Sequence, residues 1–425
     1  MAESGSLARA REVTADNETA SALFNPLFDV AETLPVGGAA RQMADEADFN
    51  RRAVAYRNLQ AYTNLLRTAA DNDPLSAYLW IAFNCAYSPP GEQRLGERLE
   101  AVPTWRATAL LSFKAATCIG YGGAAVDRLL EADPRFVEIN YFLAARDMVR
   151  GRADEAIERW RTAFSWRPRW PSVTNALAQA LLSLEEFGES IEFFDRTLEL
   201  SPSSAEALLG KVRALTYQGR YEAAIETVDR LLALQRWFTG DARFWRAFNE
   251  AQLGKNDAAW EDIELAAKLL ANAAVPKLAG IIAYRRGDVA VSRAKFEESR
   301  EREPQDCETG FYLGTVLSEQ RIWSRAADVL VDTAACLDRA EARLTAELDK
   351  IRSSNDRPER KARQVARREQ EIASGRRMRA TSWFNTAVSF YNLARRDLAR
   401  RYAAKVEGDE QFGERARDLL RRLDQ

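Results

Sequence analysis

The chain has 425 residues, 46% of them hydrophobic and 29% charged, with a formal net charge of -2 at pH 7. This balance gives no general attraction to nucleic acid or to an anionic membrane, and no apolar run approaches the ~20 residues of a transmembrane helix. The absence of histidine excludes Ser-His-Asp and Cys-His catalysis and histidine zinc sites, and no nucleotide-binding or esterase motif is present. We therefore predict no catalytic residues, no metal site and no cofactor.

The N-terminal third of the chain is predicted to differ from the rest. Residues 1–40 should form a flexible acidic arm, since residues 1–50 hold nine acidic and three basic side chains. Residues 41–136 are predicted to form degenerate helical repeats that act as an N-terminal cap. The start, MAESGSLARAREV, lacks the apolar segment of a signal peptide. We expect a cytoplasmic protein, or a periplasmic one if a signal peptide has been removed.

A pattern that recurs every 34 residues begins at residue 137. Pro168 and Pro202 lie one period apart, and small and large apolar residues fall at matching offsets on both sides. Each period holds two stretches with apolar residues at i, i+3, i+4 and i+7, which predicts two amphipathic helices. Ala156 and Ala224 are predicted to be buried where the two helices meet. The turns between paired helices are predicted at Gly151, Glu185, Gly219, Gly254, Gly287 and Arg321.

The pattern resembles the tetratricopeptide repeat family, whose period is 34 residues. The resemblance covers residues 137–340 as six repeats, and residues 380–425 as one looser repeat with a capping helix. It implies an all-α fold, a right-handed superhelical solenoid of stacked antiparallel helix hairpins. Lys211 and Thr386 stand where the family usually has a large apolar residue, so we expect their two helices to be rotated or loosely packed.

Residues 341–379 interrupt the period and predict a charged helical hairpin that projects from the array. Apolar stripes through Leu348 and Ile372 would join its two helices. The segment holds twelve basic and seven acidic residues. Two interpretations stay open: a solvated hairpin with charge pairs one turn apart, or a basic arm that binds nucleic acid or anionic lipid.

The resemblance implies that the first helix of each repeat lines the inner, concave face, where a peptide or partner segment would bind. Aromatic side chains, which are frequent binding hot spots, are common at these positions, Tyr217 of the third repeat among them. The other interpretation is that such aromatic residues pack between helices. The candidate peptide-binding residues are Tyr141, Phe142, Asn175, Gln179, Arg213, Phe244, Trp245, Phe248, Tyr284, Phe311 and Tyr312.

The sequence therefore favours a non-enzymatic scaffold that binds a protein or peptide partner and assembles a protein complex. A bacterial source is suggested by arginine, which supplies 52 of the 61 basic residues. The alternative is a helical-repeat protein that binds nucleic acid through residues 341–379, which the acidic balance of residues 1–340 disfavours.

The four cysteines are Cys85, Cys118, Cys307 and Cys336. None belongs to a C-x-x-C pair, and their spacing supports no disulfide framework. We expect small buried residues with free thiols.

Overall fold

The computed structural model describes residues 130–131, 133–234, 238–354 and 357–424, together with Ala15. Of these described residues 81% are helical, and they form fifteen helices and no strand. The expected arm at 1–40 and almost all of the expected cap at 41–136 lie outside the described residues. The predicted all-α fold of helix hairpins is confirmed for the described part of the chain.

The chain divides into two compact units, Met1–Trp245 and Arg246–Gln425. In the first unit three helix hairpins follow one another and a further helix, α7, begins. The helices are α1 (Val137–Val149), α2 (Ala153–Trp166), α3 (Pro171–Ser183), α4 (Phe187–Leu200), α5 (Ala205–Tyr217), α6 (Tyr221–Ala233) and α7 (Thr239–Gln252). Because α3 contacts both α1 and α5, these three helices form one wall, which we call the first-helix wall.

The second unit starts within α7 and continues with further hairpins. Its helices are α8 (Asn256–Ala267), α9 (Ala274–Arg285), α10 (Val289–Arg302), α11 (Cys307–Glu319), α12 (Trp323–Ser353), α13 (Pro358–Asn392), α14 (Arg396–Ala404) and α15 (Gly413–Asp424). Here α9 pairs with α10, α11 with α12, and α13 with α14.

All six predicted turns are confirmed by a left-handed backbone. The φ angles are 76° at Gly151, 73° at Gly219, 76° at Gly254, 85° at Gly287, 63° at Glu185 and 59° at Arg321. This conformation ends a helix and redirects the chain. At the first turn, the N–H of Arg152 donates to the carbonyl of Asp147 at 2.9 Å, and Arg220 donates to Leu215 in the same way.

The hairpins are held together by small residues facing large ones. Ala156 and Ala224 are fully buried, as predicted, and Phe194 and Phe296 are fully buried opposite glycine. A Cβ atom placed on Gly280 would lie 2.7 Å from two carbons of the Phe296 ring. The two helices of such a hairpin therefore approach as closely as a glycine or alanine allows.

Replacing Ala224 by leucine should lower the free energy of unfolding by about 1–3 kcal/mol, because the site has no room for three more carbon atoms. Ala233, exposed at the end of the same helix, is the matched control, and Ala233→Leu should leave stability nearly unchanged. Urea denaturation measures both variants. If Ala224→Leu were as stable as Ala233→Leu, the predicted repeat register would be wrong at α6.

Helices α5 and α13 are not loosely packed, so the expectation of loose packing at Lys211 and Thr386 is wrong. Thr386 is fully buried and donates a hydrogen bond to the carbonyl of Ser382 at 2.7 Å. Lys211 donates to the Asp195 carboxylate at 2.5 Å, and its neighbour Val212 is fully buried. A local hydrogen bond and an ion pair thus replace the apolar contact that the family pattern would supply.

Cys307 and Cys336 form a disulfide, which corrects the expectation of free thiols for these two residues. They are half-buried, with Cα atoms 5.6 Å apart, inside the range that a disulfide needs. The pair joins the start of α11 to α12, its partner in the hairpin. The separation of 29 residues carries no signal in the sequence, because only the folded hairpin brings the two positions together. Cys85 and Cys118 lie outside the described residues.

Helices α12 and α13 are much longer than the other helices, with 31 and 35 residues. These two helices also pack on each other as a long hairpin, in which Leu348 of α12 and Ile372 of α13 are buried. Ion pairs cross between its helices, as at Arg376 with Glu341 at 2.7 Å, and others lie one turn apart, as at Arg367 with Glu371. Carboxylates of both helices thus already balance part of the basic charge within residues 341–379.

Candidate functional site

None of the eleven candidate residues is fully buried: ten are half-buried and Arg213 is exposed. They fall in both units, which we treat separately. The first unit holds Tyr141, Phe142, Asn175, Gln179, Arg213, Phe244 and Trp245, and the second holds Phe248, Tyr284, Phe311 and Tyr312.

Asn175 and Gln179 are placed by the apolar pattern of α3. The helix buries Val173, Leu177 and Leu181, which leaves the two amides together, one turn apart, on a half-buried face. The amide nitrogen of Gln179 would lie 2.8 Å from a Cβ atom on Gly210 of α5, so this side chain packs against the neighbouring first helix. The Oδ1 atom of Asn175 is shielded from solvent and has no hydrogen-bond partner among the described residues.

Four aromatic rings form a continuous series, which we call the aromatic row: Phe187, Tyr217, Trp245 and Phe244. Ring centroids are 5.3 Å apart for Phe187 and Tyr217, 6.0 Å for Tyr217 and Trp245, and 5.6 Å for Trp245 and Phe244. Tyr217 at the end of α5 is 47% exposed. Phe187 was not predicted, because it begins a second helix and no offset rule marks it. The row offers solvent a strip of aromatic surface that the neighbouring rings hold in place.

The other two aromatic candidates of the first unit differ in their surroundings. Tyr141 contacts Trp170 at 5.1 Å and Trp160 at 6.2 Å between ring centroids, and the Trp160 indole donates to the Tyr141 carbonyl at 3.1 Å. Phe142 packs instead on the core cluster that contains Leu143. Tyr141 is therefore held rigidly on the first-helix wall, whereas Phe142 follows the packing interpretation.

Glu206 at the start of α5 is the acidic group of this wall. Its side chain reaches solvent, yet the surrounding protein removes part of its hydration and raises its pKa. Burial raises the pKa of Tyr141, and the negative charge of Glu206 raises it further, so the two side chains lie near each other. Within the described part of the chain, Glu206 has no ion-pair partner.

Polar groups on the first helices of the second unit are already paired. Lys277 of α9 lies 3.0 Å from both Asp306 and Glu308. Tyr284 donates to Glu319 of α11, and this hydrogen bond raises the pKa of Tyr284 to about 12. Arg285 donates to the carbonyl of Ala251 at 2.6 Å. These groups join α7, α9 and α11 to one another and leave few polar atoms for a ligand.

The two remaining candidates with aromatic rings on α11 also pack on their neighbours. Tyr312 stacks on Phe296 with ring centroids 5.3 Å apart, and Phe311 meets the edge of Tyr312 at 5.5 Å. Where the structure describes the chain, no three metal-ligating side chains are grouped so as to hold an ion, and none of its helices is both long and apolar enough to cross a membrane.

The hairpins around the aromatic row match a known repeat. Residues 147–205 and 175–236 both match the tetratricopeptide repeat family. Residues 147–236 carry tetratricopeptide repeats. The matched residues run from the end of α1 through α6, so they include most of the first-helix wall. Tetratricopeptide repeat proteins bind protein or peptide partners and generally act as non-enzymatic scaffolds.

Solved tetratricopeptide repeat structures resemble parts of the chain. YrrB, described as having an unusual peptide-binding site, is 18% identical, with 42% of this chain and 91% of that one covered and a TM-score of 0.36. A protein from Parabacteroides merdae is 14% identical, with coverage of 68% and 99% and a TM-score of 0.41. A thermophilic protein from Thermus thermophilus is 17% identical, with coverage of 43% and 98% and a TM-score of 0.35. No curated protein matches the sequence.

Proposed function

We propose that this tetratricopeptide repeat protein is a non-enzymatic scaffold that binds an extended segment of a partner protein along the first-helix wall and the adjoining aromatic row of its first unit. The observation that carries the proposal is the aromatic row, in which the exposed Tyr217 is supported by Phe187 and Trp245. By binding this segment, the protein would bring its partner into a larger complex. Its arginine-rich composition favours a bacterial source.

The aromatic row suits a peptide because of its shape and rigidity. Aromatic rings supply a large contact area with few rotatable bonds, so little side-chain entropy is lost on binding. The half-buried amides of Asn175 and Gln179 lie on the adjacent helix α3 and can hydrogen-bond to a peptide backbone. The second unit is less suited, since its polar groups on α9 and α11 are paired with each other.

Replacing Tyr217 by alanine should weaken peptide binding by roughly thirtyfold to a thousandfold, because truncating an aromatic hot spot typically costs ~2–4 kcal/mol of binding free energy. The ligands are peptides selected from a random-sequence display library against the wild-type chain, and calorimetry measures their affinity. Tyr217 is 47% exposed and lies outside the buried core, so the variant should melt close to the wild-type temperature.

Tyr221 is the matched control, since it lies in the same hairpin at the start of the second helix. Tyr221→Ala should bind the selected peptides as the wild type does. A library that yields no peptide would contradict the proposed function. Peptides that bind Tyr217→Ala with unchanged affinity would place the binding surface elsewhere, for example on residues 341–379.

A further inference from the structure

The chemistry of the partner segment is indicated by three side chains of the first-helix wall. Tyr141, Asn175 and Glu206 each lie within the first five residues of their helices, α1, α3 and α5. Since α3 contacts both of the other helices, the three side chains occupy the same end of the wall. The negative charge of Glu206 raises the pKa of Tyr141, after the larger effect of burial, which agrees with this placement.

Among the described residues, one acceptor at this end lacks a donor and one charge lacks a counter-ion. Asn175 Oδ1 is shielded from solvent without a hydrogen-bond partner there. The exposed Glu206 carboxylate has no ion-pair partner there, and the surrounding protein raises its pKa. An unsatisfied acceptor and an uncompensated charge both destabilise the free protein. A ligand that supplies several N–H donors and a positive charge would remove both costs at once.

We infer that the Glu206 carboxylate and Asn175 Oδ1, beside the ring of Tyr141, receive an arginine side chain of the bound partner segment. This inference rests on the proposed function and specifies its ligand. A guanidinium fits better than an ammonium because it offers five donors in a plane and stacks on aromatic rings. The ring of Trp170, which contacts Tyr141, already holds one guanidinium: the central carbon of Arg167 lies 5.1 Å from the Trp170 ring centroid.

The rest of the wall restricts this preference to one position. Helix α3 has no charged residue, and Arg213 of α5 is exposed two turns after Glu206. The positive charge of Arg213 repels a second basic side chain. The wall is therefore suited to a segment with a single arginine followed or preceded by apolar residues for the aromatic row, rather than to a polybasic segment.

The test is an array of immobilised random-sequence peptides probed with the wild-type chain and with Glu206→Gln. Peptides bound by the wild type should be enriched in arginine and in apolar residues. Glu206→Gln should lose the arginine enrichment but keep the apolar one. For an arginine-containing peptide, affinity should fall about tenfold to a hundredfold, as for loss of a charged hydrogen-bond partner.

Glu226→Gln is the matched control, because Glu226 is exposed on α6 and its replacement removes the same charge from the other helix of the hairpin. It should bind as the wild type does. Glu206→Gln should melt no lower than the wild type, since the raised pKa means that folding disfavours the ionised form of Glu206. A lowered melting temperature would indicate a structural role and overturn the inference.

The outcomes separate the two proposals. Apolar enrichment without arginine enrichment, or arginine enrichment that persists in Glu206→Gln, would overturn the arginine site and leave the peptide-binding function standing. Failure of the wild type to bind any peptide of the array would overturn both.

Discussion

Reduction of the disulfide between Cys307 and Cys336 is expected to lower the free energy of unfolding of the second unit by about 3.6 kcal/mol, from the entropy of closing a loop of this length in the unfolded chain. The two residues are 29 positions apart, and the bond ties the start of α11 to α12. Without it the hairpin keeps its packing, but the unfolded chain gains freedom that must be lost again on folding.

Urea denaturation with and without dithiothreitol measures this effect. The double variant Cys307→Ser with Cys336→Ser should have the stability of the reduced wild type and should not respond to the reductant, which controls for any effect on Cys85 and Cys118. A wild-type stability that is the same in both conditions would show that the bond is absent or contributes nothing.

The disulfide also has a bearing on where the protein works. Disulfides persist in oxidising compartments and are rare in the cytosol. On this ground we propose the periplasmic alternative in place of the cytoplasmic location expected from the N-terminal sequence. Mass spectrometry of the protein alkylated in intact source cells distinguishes the two locations by the state of Cys307 and Cys336.

Replacement of Gly280 by leucine is expected to cost about 3 kcal/mol, the upper end for overpacking a core. Even a single Cβ atom would lie 2.7 Å from the ring of Phe296, which is itself fully buried. Ser292 of α10 donates to the Gly280 carbonyl at 2.9 Å. Helices α9 and α10 are therefore joined at Gly280 by this hydrogen bond as well as by the packing of Phe296. Neither helix can move away without breaking this hydrogen bond.

Gly375 provides the control for the intrinsic effect of removing a glycine from a helix. It lies in α13, and nothing is within 4 Å of its ideal Cβ position. Gly375→Leu should therefore stabilise the protein by about 0.5–1 kcal/mol, through the better helix propensity of leucine. Thermal melts of the two variants should shift in opposite directions, and a shift in the same direction would mean that close packing at Gly280 does not decide its identity.

The repeat register was predictable from the sequence because each repeat makes the same local demands on its residues. Every turn needs a left-handed residue, which marked Gly151 and Gly287, and every hairpin needs a small residue at its crossing, which marked Ala156 and Ala224. Ser190 and Ser292, three periods apart, even make the same hydrogen bond to the facing helix, at 2.8 and 2.9 Å.

The details of the candidate site were not predictable, because they depend on how neighbouring repeats differ. The aromatic row needs Phe187 from a second helix beside Tyr217 of the next hairpin. The nearness of Tyr141 and Glu206 joins residues almost two periods apart. The ion pair of Lys277 with Glu308 makes the first helices α9 and α11 less suited to bind a ligand, although their offsets in the repeat place them on the inner face. Offsets within one repeat contain none of this information.

The hairpin arrangement also has a kinetic consequence. Helices next to each other in the chain pack on each other, and hydrogen bonds between hairpins join residues about one repeat apart, as for Tyr284 and Glu319, 35 positions from one another. Contact order is therefore low in each unit, little loop-closure entropy opposes the early steps, and helical arrays of this kind fold within microseconds to milliseconds. Folding can begin at any hairpin and spread to its neighbours during synthesis, before the whole chain has left the ribosome.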